Sequence, residues 1–449
     1  MTDLRDIARR TAHHARDGEQ IEAFVVRARE TDIEAFGGDV ESLTTAVVEG
    51  ISVRVIVDHR QGLAWAGSLD PSVVEETIRE ARDNVAFGQP DEWVGLASPA
   101  DANGASAPAL DLWRNELAEV TTDEKVRVTL ELERATKAAD HRIRNVEAAS
   151  YGDAMSESAV ANSLGIEAST RRTTCSASSV ALADDGSGTQ TGYGFAAGRA
   201  LSDLDFDAIA ADAVTRSVRL LGARSISSRR IPVILDPLVT RSFLGVLSSA
   251  FNGESVLKGR SLFMGREGEQ VAAPGVQLLD DATDARALGA SPHDSEGIPT
   301  RRNALITDGV VQRFLHNVYT GRRSGSGTTA SATRALSSTP GVGVRALRLE
   351  PGDKSPQEIM ASVPEALYVQ SVSGLHSGTN PISGDFSVGA EGLMVRNGEF
   401  AEPVREVTIA STLQRMLLDL VEIGSDLTFL PGAVAGMTLL LSEMTVSGA

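Results

Sequence analysis

Histidines are the first place to look for metal or acid–base chemistry, and this chain has seven: His13, His14, His59, His141, His293, His316 and His376. None is followed by glutamate and none pairs with another at H-E-x-x-H spacing, so no helix carries two imidazoles and a base on one face. Adjacent His13 and His14 diverge around a helix and read as surface residues. His293 sits with Asp294 and Glu296 in SPHDSEG, where a single imidazole makes a weak metal cluster and loop hydrogen bonding is the ordinary reading. His316, in FLHNVY, reads as a structural histidine. Cys175 is the only cysteine. It allows no disulfide within the chain and no four-cysteine zinc site, and its β-rich surroundings suit a small buried side chain better than a nucleophile. GVGV (Gly341–Val344) and the MGREG stretch lack the G-K-S/T context of a phosphate loop.

The most unusual polar stretch is SGLHSGTNPISGDFSVGAEG, Ser373–Gly392. It combines several glycines with His376, Thr379, Asn380 and Asp385. Such a loop can bring backbone N–H groups close to a peptide or another subunit, or its glycines can simply permit tight packing. Ser373, His376 and Asp385 supply the residue types of a hydrolytic triad, but a triad is defined by geometry, not by residue types.

Stepping out to the elements that would hold these residues, 449 residues exceed one ordinary core, and a 42% hydrophobic content is enough to build two or more. The charge balance of 42 basic against 61 acidic residues gives −19, which argues against non-specific nucleic-acid binding. The arginine pairs Arg171-Arg172, Arg229-Arg230 and Arg322-Arg323 read as solvated or salt-bridged. The charged N-terminus has no apolar run of signal-peptide type, and Ala433–Leu441 is too short to span a bilayer. With the lone cysteine, this predicts a cytoplasmic chain that inserts in no membrane.

Leu4, Ile7, Ala8, Thr11 and Ala12 share a helical face. Strands are predicted at Ile21–Ala28 and Thr31–Phe36, then, after a Gly37-Gly38 turn, at Ile51–Val57, with a hairpin turn over His59–Gly62. Asp70 is placed to cap a helix opened by Pro71. Gly88–Pro108 reads as a linker or surface loop, Glu116–Asp140 as a helix, Arg142–Phe195 as mostly strand, and Leu204–Leu221 as a helix opened by Asp203 or Asp205. After a crossover at Ser225–Pro237 come a buried strand at Ile231–Leu235, a helix at Val239–Ala250 and hairpins turning at Asp308-Gly309 and Asn397-Gly398. A strand at Val344–Leu349 and a helix at Thr408–Leu420 follow. Antiparallel strands mixed with helices in both halves predict an α+β fold, with two mixed regions of extended antiparallel sheet and flanking helices, residues 1–225 and 226–449.

Two segments carry a family resemblance: GVLSSAFNGESVLKGRSLF (Gly245–Phe263) and GLHSGTNPISGDFSVGAEGLMVRNGEFAEPVREVTIASTLQRML (Gly374–Leu417). In order and combination they make the chain similar to the TldD/PmbA (TldD/TldE) family over nearly all its length, on the PmbA/TldE side. The resemblance implies a complex of two homologous subunits. The TldD-type subunit carries an H-E-x-x-x-H motif and cleaves small or unfolded peptides, and the PmbA/TldE-type subunit lacks the motif and completes the chamber. Against the pattern G-V-L-x-H-E-x-x-G-H, the first ligand position is Ser249, the glutamate position is Ala250 and the second histidine position is Glu254. Zinc hydrolysis needs ligands for the ion and a base for its water, and one carboxylate cannot fill those roles.

The resemblance therefore predicts a subunit without its own catalytic or metal residues and without a cofactor of its own, zinc being expected in a TldD-like metal-bearing partner. It also implies a small or unfolded peptide as substrate of the assembly. His376, Thr379, Asn380 and Asp385 are candidate peptide or partner contacts. The family is also described as a modulator of DNA gyrase through peptide toxins, but the acidic composition gives no reason for direct DNA binding. Two alternatives stand beside this reading: an independent peptidase with an unconventional site around His376, Asp385 or Cys175, and a homodimeric or other homomeric peptide-binding protein without catalysis.

Overall fold

The computed structural model describes residues 3–186 and 188–448. Its fold class is α+β. The first sheet follows from long runs of alternating side chains. It comprises β1 (Gln20–Phe36), β2 (Asp39–Val57), β3 (Arg60–Ala66), β4 (Ile143–Asn162), β5 (Glu167–Asp184) and β6 (Thr189–Gly198), in the antiparallel order β3-β2-β1-β4-β5-β6. The two strands expected at Ile21–Ala28 and Thr31–Phe36 are one. Arg29 and Glu30 stay in the ladder, opposite Val47 and Ala46 of β2 and Met155 and Ala154 of β4, because a strand tolerates polar residues wherever a face is wet. The β2–β3 turn lies at Asp58 and His59, both at positive φ, and not over His59–Gly62, since Arg60 and Gln61 already pair with Val57 and Ile56.

Because side chains alternate, the odd residues of β1 form one face. Ile21, Ala23 and Val25 pack at one end of that face with α1 (Leu4–Ala12) and α2 (Pro71–Asn84). Ile33 and Ala35 pack at the other end with Tyr151, Cys175, α4 (Thr122–Ala138) and α5 (Phe206–Val218). The helix predicted over Glu116–Asp140 is two, a short α3 (Asn115–Glu119) and α4, where Thr121 caps α4 by accepting from the Glu124 N–H at 3.2 Å. Asp70 occupies the N-cap of α2, but its carboxylate makes no capping hydrogen bond; only its carbonyl accepts, from Val74 N–H.

The contact between α5 and the sheet is close enough to test. A Cβ at Gly194 would lie 2.0 Å from the Ile209 carbonyl oxygen and 2.8 Å from the Ala213 nitrogen. Backbone atoms cannot yield cheaply, so Gly194→Ala is expected to cost about 2–3 kcal/mol as α5 is pushed off β6. Gly67→Ala, whose Cβ meets nothing within 4 Å, is the matched control and should leave the urea midpoint unchanged or slightly raised.

The second half contributes β7 (Arg229–Leu235), α6 (Pro237–Leu247), α7 (Gly253–Leu257), β8 (Leu278–Asp281), β9 (Arg302–Thr307), β10 (Val310–Val311), α8 (Val318–Ser324), β11 (Ala332–Thr333), β12 (Gly341–Val342) and β13 (Leu347–Leu349). It continues with α9 (Pro356–Ala361), β14 (Glu365–Ser373), α10 (Leu375–Gly378), β15 (Asp385–Arg396), β16 (Glu399–Thr412), α11 (Leu413–Leu418), β17 (Leu420–Ile423) and β18 (Leu439–Ser447). A six-stranded sheet runs β16-β15-β14-β7-β18-β17, with β14 and β7 parallel. A further pairing, Ile409 opposite Val446, joins β16 to β18 and closes five strands into a barrel around the largest core. The Asp308-Gly309 and Asn397-Gly398 hairpins form where the sequence places them. The helix predicted at Thr408–Leu420 does not: Thr408–Thr412 extends β16, because Ile409 is fully buried between β15 and β18, and only Leu413–Leu418 is helical. Likewise only Leu347–Leu349 of the predicted Val344–Leu349 is strand.

The second half covers the even face of the first sheet at the end that holds Glu22 and Arg54. There residues 51–56 are buried on both sides: Ser52, Arg54 and Ile56 are enclosed along with Ile51, Val53 and Val55.

Candidate functional site

The segment that the sequence resemblance sets against the metal motif, with Ser249, Ala250 and Glu254, begins on α6. Asp236 caps that helix, accepting from Leu238 N–H at 2.9 Å, with Pro237 at its first position. The helix does not run on through the motif. It tightens into a 3-10 turn at Ser248–Phe251 and ends at Asn252, which is extended and whose side-chain oxygen caps α7 by accepting from Glu254 and Ser255 N–H. Ser249 and Glu254 therefore belong to different helices. The Ser249 hydroxyl donates back to the Val246 carbonyl at 2.9 Å. Ala250 is fully buried in the core and its carbonyl accepts from Ser261 Oγ at 2.6 Å. Glu254, half exposed, forms an ion pair with Lys258.

These three residues do not fit a zinc ion: one hydroxyl is spent on its own helix, one side chain is a methyl and the one carboxylate already has a cation. The nearest imidazole in the chain fold is His316, which presses on the bend; a Cβ at Gly253 would fall 2.2 Å from its Nδ1. That nitrogen lies 3.1 Å from Thr320 Oγ1, and burial pushes the ring down to about 4, so it is neutral at physiological pH. Among the described residues, no three His, Cys, Asp or Glu side chains gather as a metal would require.

Glu254 reaches a cavity. It lines a cleft of about 570 Å³ between the two halves, with Arg54 and Asp91 from the N-terminal half and Asn317, Tyr319 and Thr320 from α8 and its cap. Tyr319 donates its hydroxyl hydrogen to Asp91 Oδ2 at 2.8 Å, and Arg323 donates to the Tyr319 oxygen at 2.8 Å. Slight burial works to raise the Asp91 carboxyl, but Trp93 N–H, the Tyr319 hydroxyl and the Arg323 charge hold it below the usual range. The remaining wall carries the amides of Gln61 and Gln89, the Thr339 hydroxyl and glycine backbone including Gly341, beside Val94 and Pro340. Such a wall can hydrogen-bond an extended polar chain.

Sequence reasoning missed Asp91, Arg54 and Tyr319. Asp91 lies in the segment read as a linker, yet Leu96 and Ala97 of that segment are fully buried and Arg322 donates to the Leu96 carbonyl at 2.9 Å. The available signal was the apolar Val94–Ala97 run inside an otherwise polar loop.

His376, Thr379, Asn380 and Asp385 sit elsewhere, on the connection between β14 and β15. Asn380 organises it: its side-chain oxygen accepts from Ile382 and Ser383 N–H, and its own N–H donates to the Asp385 carbonyl. Asp385 Oδ2 accepts from Ser383 Oγ at 2.5 Å, and Thr379 Oγ1 donates to the Leu375 carbonyl at 2.9 Å. No hydrogen bond joins Ser373, His376 and Asp385 among the described residues, and His376 and Ile382 are exposed. Cys175 is buried, with its Sγ 3.1 Å from the Ala200 carbonyl, and burial pushes the thiol up to about 12, where it is no nucleophile. Asp294 and Glu296, the carboxylates beside His293, are turned onto backbone N–H groups of Glu296, Ile298, Ala332 and Val318.

Three family models match the chain in succession: PmbA/TldA metallopeptidase domain 1 over residues 21–85, the central domain over 115–221 and the C-terminal domain over 228–448. The chain belongs to the PmbA/TldD family. It is 29% identical to the metalloprotease PmbA of Escherichia coli O157:H7 over 412 residues, 92% of this chain and 88% of that one. It is also 24% identical to a metalloprotease TldD homolog of Haemophilus influenzae, covering 89% and 86% of the two chains. In fold it is similar to a candidate modulator of a DNA gyrase from Thermotoga maritima (TM-score 0.91, 24% identity, 99% and 100% covered). TldE from Thermococcus kodakarensis has the same fold (TM-score 0.89, 23% identity, 99% of each chain covered). As in the sequence, no helix among the described residues is long and apolar enough to cross a membrane.

Proposed function

We propose that this PmbA/TldD-family chain is the metal-free, TldE/PmbA-type subunit of a two-subunit metalloprotease. One observation carries the reading. Where the family motif needs two imidazoles and a glutamate on one helix, this chain has Ser249, Ala250 and Glu254, and the helix between them is broken at Asn252. The zinc would belong to a TldD-like partner. This chain would supply a wall of the peptide chamber and restrict entry to small or unfolded peptides. The polar cleft at Glu254 suits that task, because a wall of amides and backbone groups reads a main chain without demanding a sequence. Residues 1–225 and 226–449 would act as its two sides. The connection between β14 and β15, with His376, Thr379, Asn380 and the exposed Ile382, and Asp385 at the start of β15, is the proposed partner or peptide contact. A cytoplasmic location, with Cys175 reduced, belongs to the same reading, as does the absence of direct nucleic-acid and membrane contacts.

Co-expression with a homologue carrying H-E-x-x-x-H tests it by native mass, zinc content and turnover of an unfolded peptide. The expected result is a mixed complex holding zinc and turning peptide over, while the chain alone, monomer or homodimer, shows less than about a hundredth of that rate, the scale lost with a missing metal and base. Stoichiometric zinc and robust turnover by the chain alone would overturn the proposal. Failure to associate with any such homologue would favour a homomeric peptide-binding protein instead.

A further inference from the structure

The even face of the first sheet and the loops of the second half enclose a smaller cavity, of about 150 Å³, remote in kind from the cleft at Glu254. Its wall is built from donors. Arg172 projects from β5, Arg334 follows β11, Arg345 precedes β13, and His293 and Ser295 come from the loop before β9. The expected solvated pair Arg171-Arg172 is thus split by strand alternation: Arg171 faces outward with its guanidinium over Trp113, and Arg172 faces into the cavity.

The acceptors nearby are already engaged. Asp294 is the only carboxylate in the described wall, and its oxygens accept from three backbone N–H groups, Glu296 and Ile298 at 3.0 Å and Ala332 at 3.1 Å. Asp280, behind Arg345, accepts from the Arg345 and Ala346 N–H groups, both at 2.8 Å. Glu22 holds Arg334, whose guanidinium also stacks on Phe24 at 4.3 Å. The donors are left over. Among the described residues Arg172 has no ion pair, and Arg345 Nε, Arg334 Nε and Ser295 Oγ are buried without a hydrogen-bond partner in the protein, as is His293 Nδ1, a donor in one tautomer of the ring; Arg345 Nη2 donates to the Ala332 carbonyl at 2.6 Å. Arg334 and Arg345 are almost wholly enclosed; burial, with the Arg345 and Arg199 charges, pulls the Arg172 guanidinium down, and burial pulls Arg345 down against the opposing Asp294 and Asp280 charges. Buried donors without acceptors are costly, and several guanidinium groups converging on a space of this size form the pattern that planar or tetrahedral oxyanions satisfy.

We propose that this cavity binds one small oxyanion, of carboxylate or phosphate type, held by Arg172 from the first sheet and by Arg345, Ser295 and His293 from the second half. The anion would bridge the two halves, so it stabilises the folded chain in proportion to its occupancy. Two sources share this chemistry, inorganic phosphate and the terminal carboxylate of a peptide. The proposal does not depend on a metal-bearing partner and is tested on this chain alone.

Calorimetric titration and thermal denaturation with inorganic phosphate, and with a tripeptide whose C-terminus is either free or amidated, separate the sources. Saturable binding and a raised melting temperature are expected with phosphate, with the free-acid peptide, or with both, and not with the amide. Arg172→Gln, whose side chain is only partly enclosed, should weaken binding at least tenfold with the anion-free melting temperature unchanged, and Arg172→Lys should recover part of it. Ser295→Ala, which removes one donor and no charge, gives a second reading independent of any folding defect at Arg172, with a severalfold loss expected. The idea fails if neither phosphate nor the free-acid peptide binds at millimolar concentration, if the amide binds as well as the acid while phosphate does not bind, or if Arg172→Gln and Ser295→Ala both leave the affinity unchanged.

Discussion

Glu22→Gln is expected to destabilise the folded chain by about 3–5 kcal/mol, a large share of what holds an ordinary domain together. Glu22 is fully buried on the even face of β1, with Arg54 Nη2 3.2 Å away and Arg334 paired to its other oxygen. Burial alone would raise its carboxyl, but Arg54 and Arg334 overcome this and hold it below the ordinary value. The amide would leave two enclosed guanidinium groups facing one remaining carboxyl, Glu296, whose Oε1 lies 3.7 Å from Arg54. Breaking a buried pair from one side costs far more than the pair contributes intact, because the other charge stays buried. Urea unfolding of the variant beside Glu76→Gln, an exposed i,i+3 partner of Arg79, measures it. Equal midpoints for the two variants would show that the cluster at the contact between the halves is not the stabilising unit described.

The second large effect is a pH dependence. Burial first, and then the neighbouring Asp294 charge, push the Glu296 carboxyl up to about 8 from an ordinary 4.5. The sign follows from proton counting. Below about pH 4.5 the group is protonated in both states. Between about 4.5 and about 8 the unfolded chain has released the proton and the folded chain keeps it, so stability falls as pH rises through that window and levels off above it. The full shift corresponds to a loss on the order of 5 kcal/mol. Glu296→Gln keeps an acceptor for the Val318 N–H, which the carboxylate now binds at 2.9 Å, and has no proton to lose. The variant should therefore show a flatter fall in midpoint between pH 5 and pH 8 than the parent. Parallel curves would mean that Glu296 is ionised in the folded chain. Because Glu22 and Glu296 share Arg54, the double variant should depart from additivity.

Much of the local architecture was written in the sequence where a single short-range cause dominates. The face of α1, the Asp205 cap of α5 and the two hairpins at Asp308-Gly309 and Asn397-Gly398 all form as their residues predict. The misreadings share one origin. Arg29-Glu30 looked like a break and Thr408–Thr412 like helix because each was judged by its own composition, while the neighbouring strands decide its state. The same holds for the site. Ser249, Ala250 and Glu254 were found by their order along the chain. Asp91, Tyr319 and Arg54 were not, because they come from three distant segments and meet only when the halves pack.

By itself, then, the sequence determined that no histidine is followed by glutamate, that the chain is acidic and α+β, and which family its ordered segments resemble. These are properties of residue identity and local spacing, and they survive any arrangement in space. Only the tertiary structure decided that the helix begun at Pro237 gives way at Asn252, that Glu254 opens on a cleft, and that Arg172 turns inward among donors that lack acceptors. Those outcomes depend on which face of the first sheet the second half covers. Strand alternation makes two faces available, and long-range burial, not local preference, chooses between them.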